Sequence, residues 1–260
     1  MAVSRTVLGN FDVWLVDANR GIPARFTFEP TVEGMGVWSP DGNRLVFPSL
    51  RSGSGGLFER ASSDAGDERV LLEGFATPLS WSSDGRFLLY TRTDPAGGAD
   101  LWAIGLNDRK SIPVITTTAD QSSGEFSPDG RWLMYESNES GRFEVYIQDF
   151  PELGGKWQIS NAGGRQPRWR RDGTEVYYVA SDGRLMAVPI TTRVDARTLD
   201  FGAPIPLFVP RLASRANVVP GRPQYAVGPD GRSLLNTVVE DTAAAPITVV
   251  VNWMQTLSGR

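Results

Sequence analysis

A ten-residue phrase recurs along this chain and constrains its fold more than any other feature. It reads Trp38-Ser39-Pro40-Asp41-Gly42-Asn43-Arg44-Leu45-Val46-Phe47, and returns in altered form at 81–90, 126–135, 169–178 and 227–236. Successive copies begin 43, 45, 43 and 58 residues apart. A period in the low forties with strand-like content marks a β-propeller, one four-stranded blade per repeat. Ser-Pro-Asp-Gly suits a type I turn, because Pro presets φ at the second place and Gly sits at the fourth. The runs leaving the corner, Leu45-Val46-Phe47 and Leu133-Met134-Tyr135, are apolar at consecutive positions, so both faces of that strand must be covered. Blades stacked face to face cover them. The repeated Asp keeps one register among the same turn formers and is read as turn chemistry, not as a catalytic or metal-binding series.

At 260 residues the chain accommodates six blades of about 43 residues each. Its 28 Gly and 18 Pro fit many short strands and turns. The expected fold is an all-β propeller of six blades, mostly of four antiparallel strands, with incomplete terminal blades. It forms one domain over 1–260, with blade segments near 1–30, 31–73, 74–117, 118–161, 162–210 and 211–260. A second signal, Asp12-Val13-Trp14, recurs as Asp100-Leu101-Trp102 and Glu144-Val145-Tyr146, with Gly56-Leu57-Phe58 a weaker copy, and marks the third strand of a blade. Outermost strands are expected at 25–28, 70–72, 113–115, 157–159 and 205–208, where an edge position tolerates Pro113 and Pro206. The first blade lacks its innermost strand and the last lacks a fourth. Two readings follow: a ring with thinned terminal blades, or a piece of a longer chain. The second is favoured, because a missing innermost strand exposes the worst place in a propeller. The insertion in the fourth repeat, 191–200 and 211–221, is expected to lengthen loops, which carry either function or disorder.

Composition removes whole classes of chemistry. There is no His and no Cys, hence no Ser-His-Asp triad, thiolate nucleophile, disulfide or His-ligated zinc. Carboxylate, Lys or Tyr chemistry remains open. No cofactor or metal site is expected. A formal charge of −4 argues against general nucleic-acid binding, which needs a basic stripe. No apolar run approaches the roughly 18 residues of a membrane span, and Met1-Ala2-Val3-Ser4-Arg5 lacks the apolar core of a signal peptide. The compartment stays open.

In a propeller, the loops that enter each innermost strand lie nearest the channel mouth. Five residues before each phrase stand Glu33, Ala76, Gln121, Gly164 and Arg222; four before stand Gly34, Thr77, Ser122, Arg165 and Pro223. A mouth carrying Glu33, Gln121, Arg165 and Arg222 is polar and of mixed charge, which suits a protein or peptide better than a lipid or nucleic acid. The bland alternative is solvated loop residues without a ligand. Arg168, Arg170 and Arg171 around Trp169 form the densest basic cluster, expected on the opposite rim, where it either docks an acidic partner or lines a solvated turn. Trp38, Trp81 and Trp169 are read as blade packing, since single-strand stacking platforms need a basic groove beside them.

Ser-Pro-Asp-Gly followed by an apolar strand resembles the PD40 (WD40-like) repeats of TolB-like propellers. The stretch Tyr135-Glu136-Ser137-Asn138-Glu139-Ser140-Gly141-Arg142-Phe143-Glu144-Val145-Tyr146 is more specific, as are Gly154-Gly155-Lys156-Trp157-Gln158-Ile159-Ser160, Pro167-Arg168-Trp169-Arg170-Arg171-Asp172-Gly173 and the ending 246–253. Together they resemble the C-terminal propeller of bacterial eukaryotic-like serine/threonine protein kinases. The resemblance implies a non-catalytic sensing or docking scaffold for a protein or peptide, with the kinase domain in a longer parent chain. Kinase catalytic motifs are absent, and Gly53-Ser54-Gly55-Gly56 reads as a hairpin loop. Similar repeats precede the hydrolase domain of prolyl-oligopeptidase-like enzymes, although no Gly-x-Ser-x-Gly elbow occurs here. The alternatives are therefore a peptidase's accessory propeller or an enzyme built on channel carboxylates.

Overall fold

The computed structural model describes every residue except 18, 52, 64–67, 94–97, 194–197, 213–223, 229–231, 238–247 and 251–260. Regular secondary structure among the described residues is strand alone. The chain divides into two compact units, Met1–Phe126 and Ser127–Arg260, and the division falls inside the third copy of the corner phrase.

In the first unit, β1 (Ala2–Val7), β2 (Asn10–Val16) and β3 (Pro23–Arg25) form one antiparallel sheet. A second sheet follows in chain order: β4 (Val37–Trp38), β5 (Arg44–Ser49), β6 (Gly56–Ala61) and β7 (Arg69–Glu73). A third is made of β8 (Thr77–Trp81), β9 (Phe87–Thr93), β10 (Ala99–Gly105) and β11 (Ser111–Ile115), and β12 (Gln121–Phe126) is the unit's last strand. The second unit opens with the meander β13 (Trp132–Ser137), β14 (Glu144–Asp149) and β15 (Lys156–Gln158). Next come β16 (Gly164–Trp169), β17 (Glu175–Ala180), β18 (Leu185–Arg193), β19 (Thr198–Phe201) and β20 (Ile205–Phe208). The sheet β21 (Tyr225–Val227), β22 (Ser233–Leu235) and β23 (Thr248–Val250) ends the unit.

The corners form as their residues dictate. The amides of Gly42, Gly85, Gly130 and Gly173 each donate to the carbonyl three residues back at 2.9 Å, and all four glycines have φ between 71° and 74°, a region costly for other residues. Ser82 Oγ accepts the Phe87 amide at 2.9 Å and donates to Asp84 at 2.7 Å, closing the corner with side-chain bonds that recur at Ser39 and Ser127. Each turn carboxylate also accepts the amide two residues on. In the fourth corner Arg170 replaces Ser and ion-pairs with Asp172 at 3.0 Å instead. Residues 229–231 of the fifth corner lie outside the described residues.

Consecutive apolar residues feed different cores. Leu45 and Phe47 pack with Val13 of the preceding sheet and with Phe26 just beyond it, whereas Val46 between them packs with Trp81, Leu88 and Tyr90 of the following sheet. All three are fully buried. In the second unit Met134 joins Trp169, Val176 and Tyr178, while Tyr177 turns to Tyr225 and Leu235. Burying each such side chain contributes about 1.5–3 kcal/mol. Sheets stacked on both faces are what the unbroken apolar runs require.

Two local expectations need correction. The first outer strand is Pro23–Arg25, not 25–28: Phe26 turns into the core and Thr27 leaves the ladder to bond Val13 through its hydroxyl at 3.0 Å. The insertion at 191–200 is partly strand, β18 extending to pair with β19, because Ile190 and Leu199 are buried and hold the hairpin down. Of 211–221, only Arg211 and Leu212 are described, and Leu212 bridges Thr237. No helix among the described residues is long and apolar enough to cross a membrane.

Candidate functional site

The entry to the first strand of each repeat combines unusual backbone with buried polar side chains. Three residues before the corner phrase, Met35, Ser123 and Gln166 have φ of 53°, 53° and 54°. The left-handed region costs a side-chain-bearing residue roughly 1–2 kcal/mol. The second repeat has Pro78 at that position, whose ring forbids positive φ, and its ladder slips between Pro78 and Ser80. The fourth repeat slips between Arg165 and Arg168.

In the first unit, Glu33 is fully buried beside Ser49. Its Oε1 accepts from Arg51, which also pairs with Glu68 and lies 4.3 Å over the Phe58 ring. Burial opposes the Arg51 charge, but Glu33 and Glu68 outweigh it and push that guanidinium up. Glu33 Oε2 has no hydrogen-bond partner. Gln121 is fully buried, donating to Thr117 Oγ1 at 2.6 Å and the Ala119 carbonyl at 2.7 Å, while its Oε1 stays unpartnered. The Ser123 hydroxyl is buried without a partner too. Ala76, Gly34 and Ser122 are buried; a Cβ on Gly34 would fall 2.3 Å from the Phe11 ring.

In the second unit, Arg165 Nη2 is 3.4 Å from the buried Glu136 carboxylate, and its guanidinium lies 4.0 Å over the Phe143 ring. The neighbouring Gln166 donates its amide to Glu136 Oε2 at 2.6 Å. Its side-chain carbonyl accepts the Gln224 amide at 2.7 Å, and its backbone carbonyl accepts Tyr225 OH at 2.8 Å. Arg165 Nε and Gln166 Nε2 are buried without partners. Arg170 is committed to Asp172 and Glu175, Arg168 Nη1 donates to the Pro167 carbonyl at 3.1 Å, and Arg171 is exposed. Arg222 and Pro223 lie outside the described residues.

Buried polar atoms without partners are rare in folded proteins and call for water or ligand to meet them. Here some of them lie three to five residues before the corner phrase: acceptors on Glu33 and Gln121 with a hydroxyl on Ser123 in the first unit, and, separately, donors on Arg165 and Gln166 in the second. Polar groups of this kind, within either unit, can hydrogen-bond a peptide backbone, which offers alternating N–H and C=O groups. Among the described residues no group of three or more Asp or Glu gathers to hold a metal. Ser123 and Gln166 were not evident in the sequence: neither residue type signals left-handed backbone, and only Pro78 hints that the position is special.

No family model matches the chain. Over 165 residues it is 24% identical to the uncharacterized peptidase YuxL of Bacillus subtilis, covering 49% of this chain and 25% of that protein. Over 111 residues it is 30% identical to a TolB homolog of Chlorobium luteolum, covering 43% of this chain and 25% of that protein. The chain thus spans a quarter of the length of the curated relatives it matches. Among solved structures, TolB of Acinetobacter baumannii superposes with a TM-score of 0.66 at 14% identity, over 88% of this chain and 55% of that one. The fold is a TolB-like β-propeller.

Proposed function

We propose that this TolB-like β-propeller is a non-catalytic scaffold that binds a protein or peptide segment through the entries to its first strands. In the first unit Glu33 and Gln121 supply acceptors and Ser123 a hydroxyl; in the second unit, taken by itself, Arg165 and Gln166 supply donors. The observation that carries the reading is the set of buried, unpartnered polar atoms on residues three to five places before the corner phrase, of which Ser123 and Gln166 are on backbone held in a costly conformation. Panning a random peptide library on the full chain, then titrating enriched peptides, tests it. Arg165→Met and Gln121→Leu should each weaken binding tenfold or more. Equal affinity for wild type and both variants would overturn the assignment. That the scaffold serves a serine/threonine kinase rests on the resemblance of 135–146, 154–160, 167–173 and 246–253, and an in-frame upstream kinase reading frame is its test.

A second reading, the accessory propeller of a peptidase, is favoured by the similarity to YuxL. A hydrolase domain encoded in the same reading frame would decide for it.

A further inference from the structure

A cleft of about 240 Å³ in the first unit is lined by Arg44, Arg69 and Arg109 with Glu59, Asn107 and Gly85. Glu59, 2% exposed, accepts Arg44 Nη1 at 2.7 Å and Arg69 Nε at 2.6 Å. One buried carboxylate therefore fixes two guanidinium groups and neutralises one of them. Arg44 is steadied further by the Trp81 ring, 5.3 Å away. The third cation, Arg109, sits at φ 55° in the turn joining β10 to β11, where its amide donates to the Gly105 carbonyl at 2.7 Å. Its guanidinium is exposed and is in none of the ion pairs among the described residues. Three cations and one carboxylate line this cleft, an excess of positive charge in the lining of a chain whose formal charge is −4. Cations lining one cleft repel unless an anion joins them, and guanidinium forks match oxyanions in geometry.

We propose that this cleft is an oxyanion site for a phosphate-type dianion, with Arg109 closing on a ligand already held by the spare donors of Arg44 and Arg69. A dianion answers the excess of cations over carboxylates in the cleft's lining, and the volume accommodates one phosphate group. The test is isothermal titration of the full chain with inorganic phosphate at fixed ionic strength, with chloride as control and phosphoserine and succinate as further arms. Phosphate should bind tighter than chloride, and Arg109→Gln should weaken it tenfold or more while leaving the melting temperature unchanged. Phosphoserine binding as tightly as phosphate would assign the group to a phosphorylated side chain; weaker binding would assign it to a free ion. Succinate binding tighter than phosphate, equal phosphate affinity in Arg109→Gln, or phosphate no tighter than chloride would each overturn the proposal.

Discussion

Glu136 accepts the backbone amide of Gln166 at 2.6 Å, which pins a residue whose φ is 54°. The bond joins β13 to β16, neighbouring sheets of the second unit, and the same carboxylate faces Arg165. The strained conformation at Gln166 persists because this buried acceptor, Gln224 and Tyr225 all hold it. Glu136→Ala leaves a buried amide unpaired and should cost about 2–3 kcal/mol. Glu136→Gln keeps an acceptor and should cost less. Urea unfolding with an unchanged slope would show the loss; equal midpoints for Glu136→Ala and wild type would refute it.

Ser123 has the same backbone strain without the compensating bonds. Its φ is 53° and its buried hydroxyl has no partner. Ser123→Gly removes both penalties against a smaller cost in unfolded-chain entropy, so it should stabilise by about 1 kcal/mol. Peptide binding should weaken in the same variant, the usual exchange between stability and function. Thermal unfolding beside titration separates the two; a destabilised Ser123→Gly would contradict the account.

The corner phrase made most of the fold legible, because Pro, Asp and Gly act locally and the apolar runs beyond them demand two covered faces. The strand entries were less legible. Met35 and Gln166 are held in left-handed backbone by distant residues, Ser123 adopts it without such bonds, and nothing in Met, Ser or Gln announces it. Glu33, Gln121 and Arg165 were visible as polar positions, but the full burial of Glu33 and Gln121 was not, since counting from the phrase gives position and not depth. The hairpin at β18–β19 was read as loop because Ile190 and Leu199 lie nine residues apart, outside any short strand window.

The turn carboxylates set an acid limit. Asp41 is held below its ordinary value of 3.8 by the Ser39 hydroxyl and the Asn43 amide. At Asp129, burial pulls upward, but Ser127 and Arg131 overcome it. Each group takes up its proton less readily folded than unfolded, so the stability it contributes is present above about pH 4 and lost as pH falls through the lowered folded values. The melting temperature should be flat from pH 7 to about 5 and fall steeply below about 4. Asp129→Asn should lower it at neutral pH and make the acid fall shallower; an acid limb of equal steepness would sink the assignment.

A carboxylate–hydroxyl latch closes the third strand on the end of the fourth in both units. Ser160 Oγ donates to the buried Glu144 and accepts the Val145 amide at 2.8 Å. Thr27 Oγ1 lies 3.3 Å from Asp12 and accepts the Val13 amide at 3.0 Å. Ser160→Ala strands the Val145 amide and one carboxylate bond, and should cost about 2 kcal/mol. Thr27→Val should cost less, because its bond to Asp12 is long and Arg25 holds that carboxylate separately at 2.8 Å. Thr27→Ser keeps the hydroxyl and should be near neutral. Hydrogen exchange reads the latch directly: Val145 should lose protection in Ser160→Ala well before the sheet unfolds. An undiminished Val145 protection would mean that the hydroxyl only fills space there.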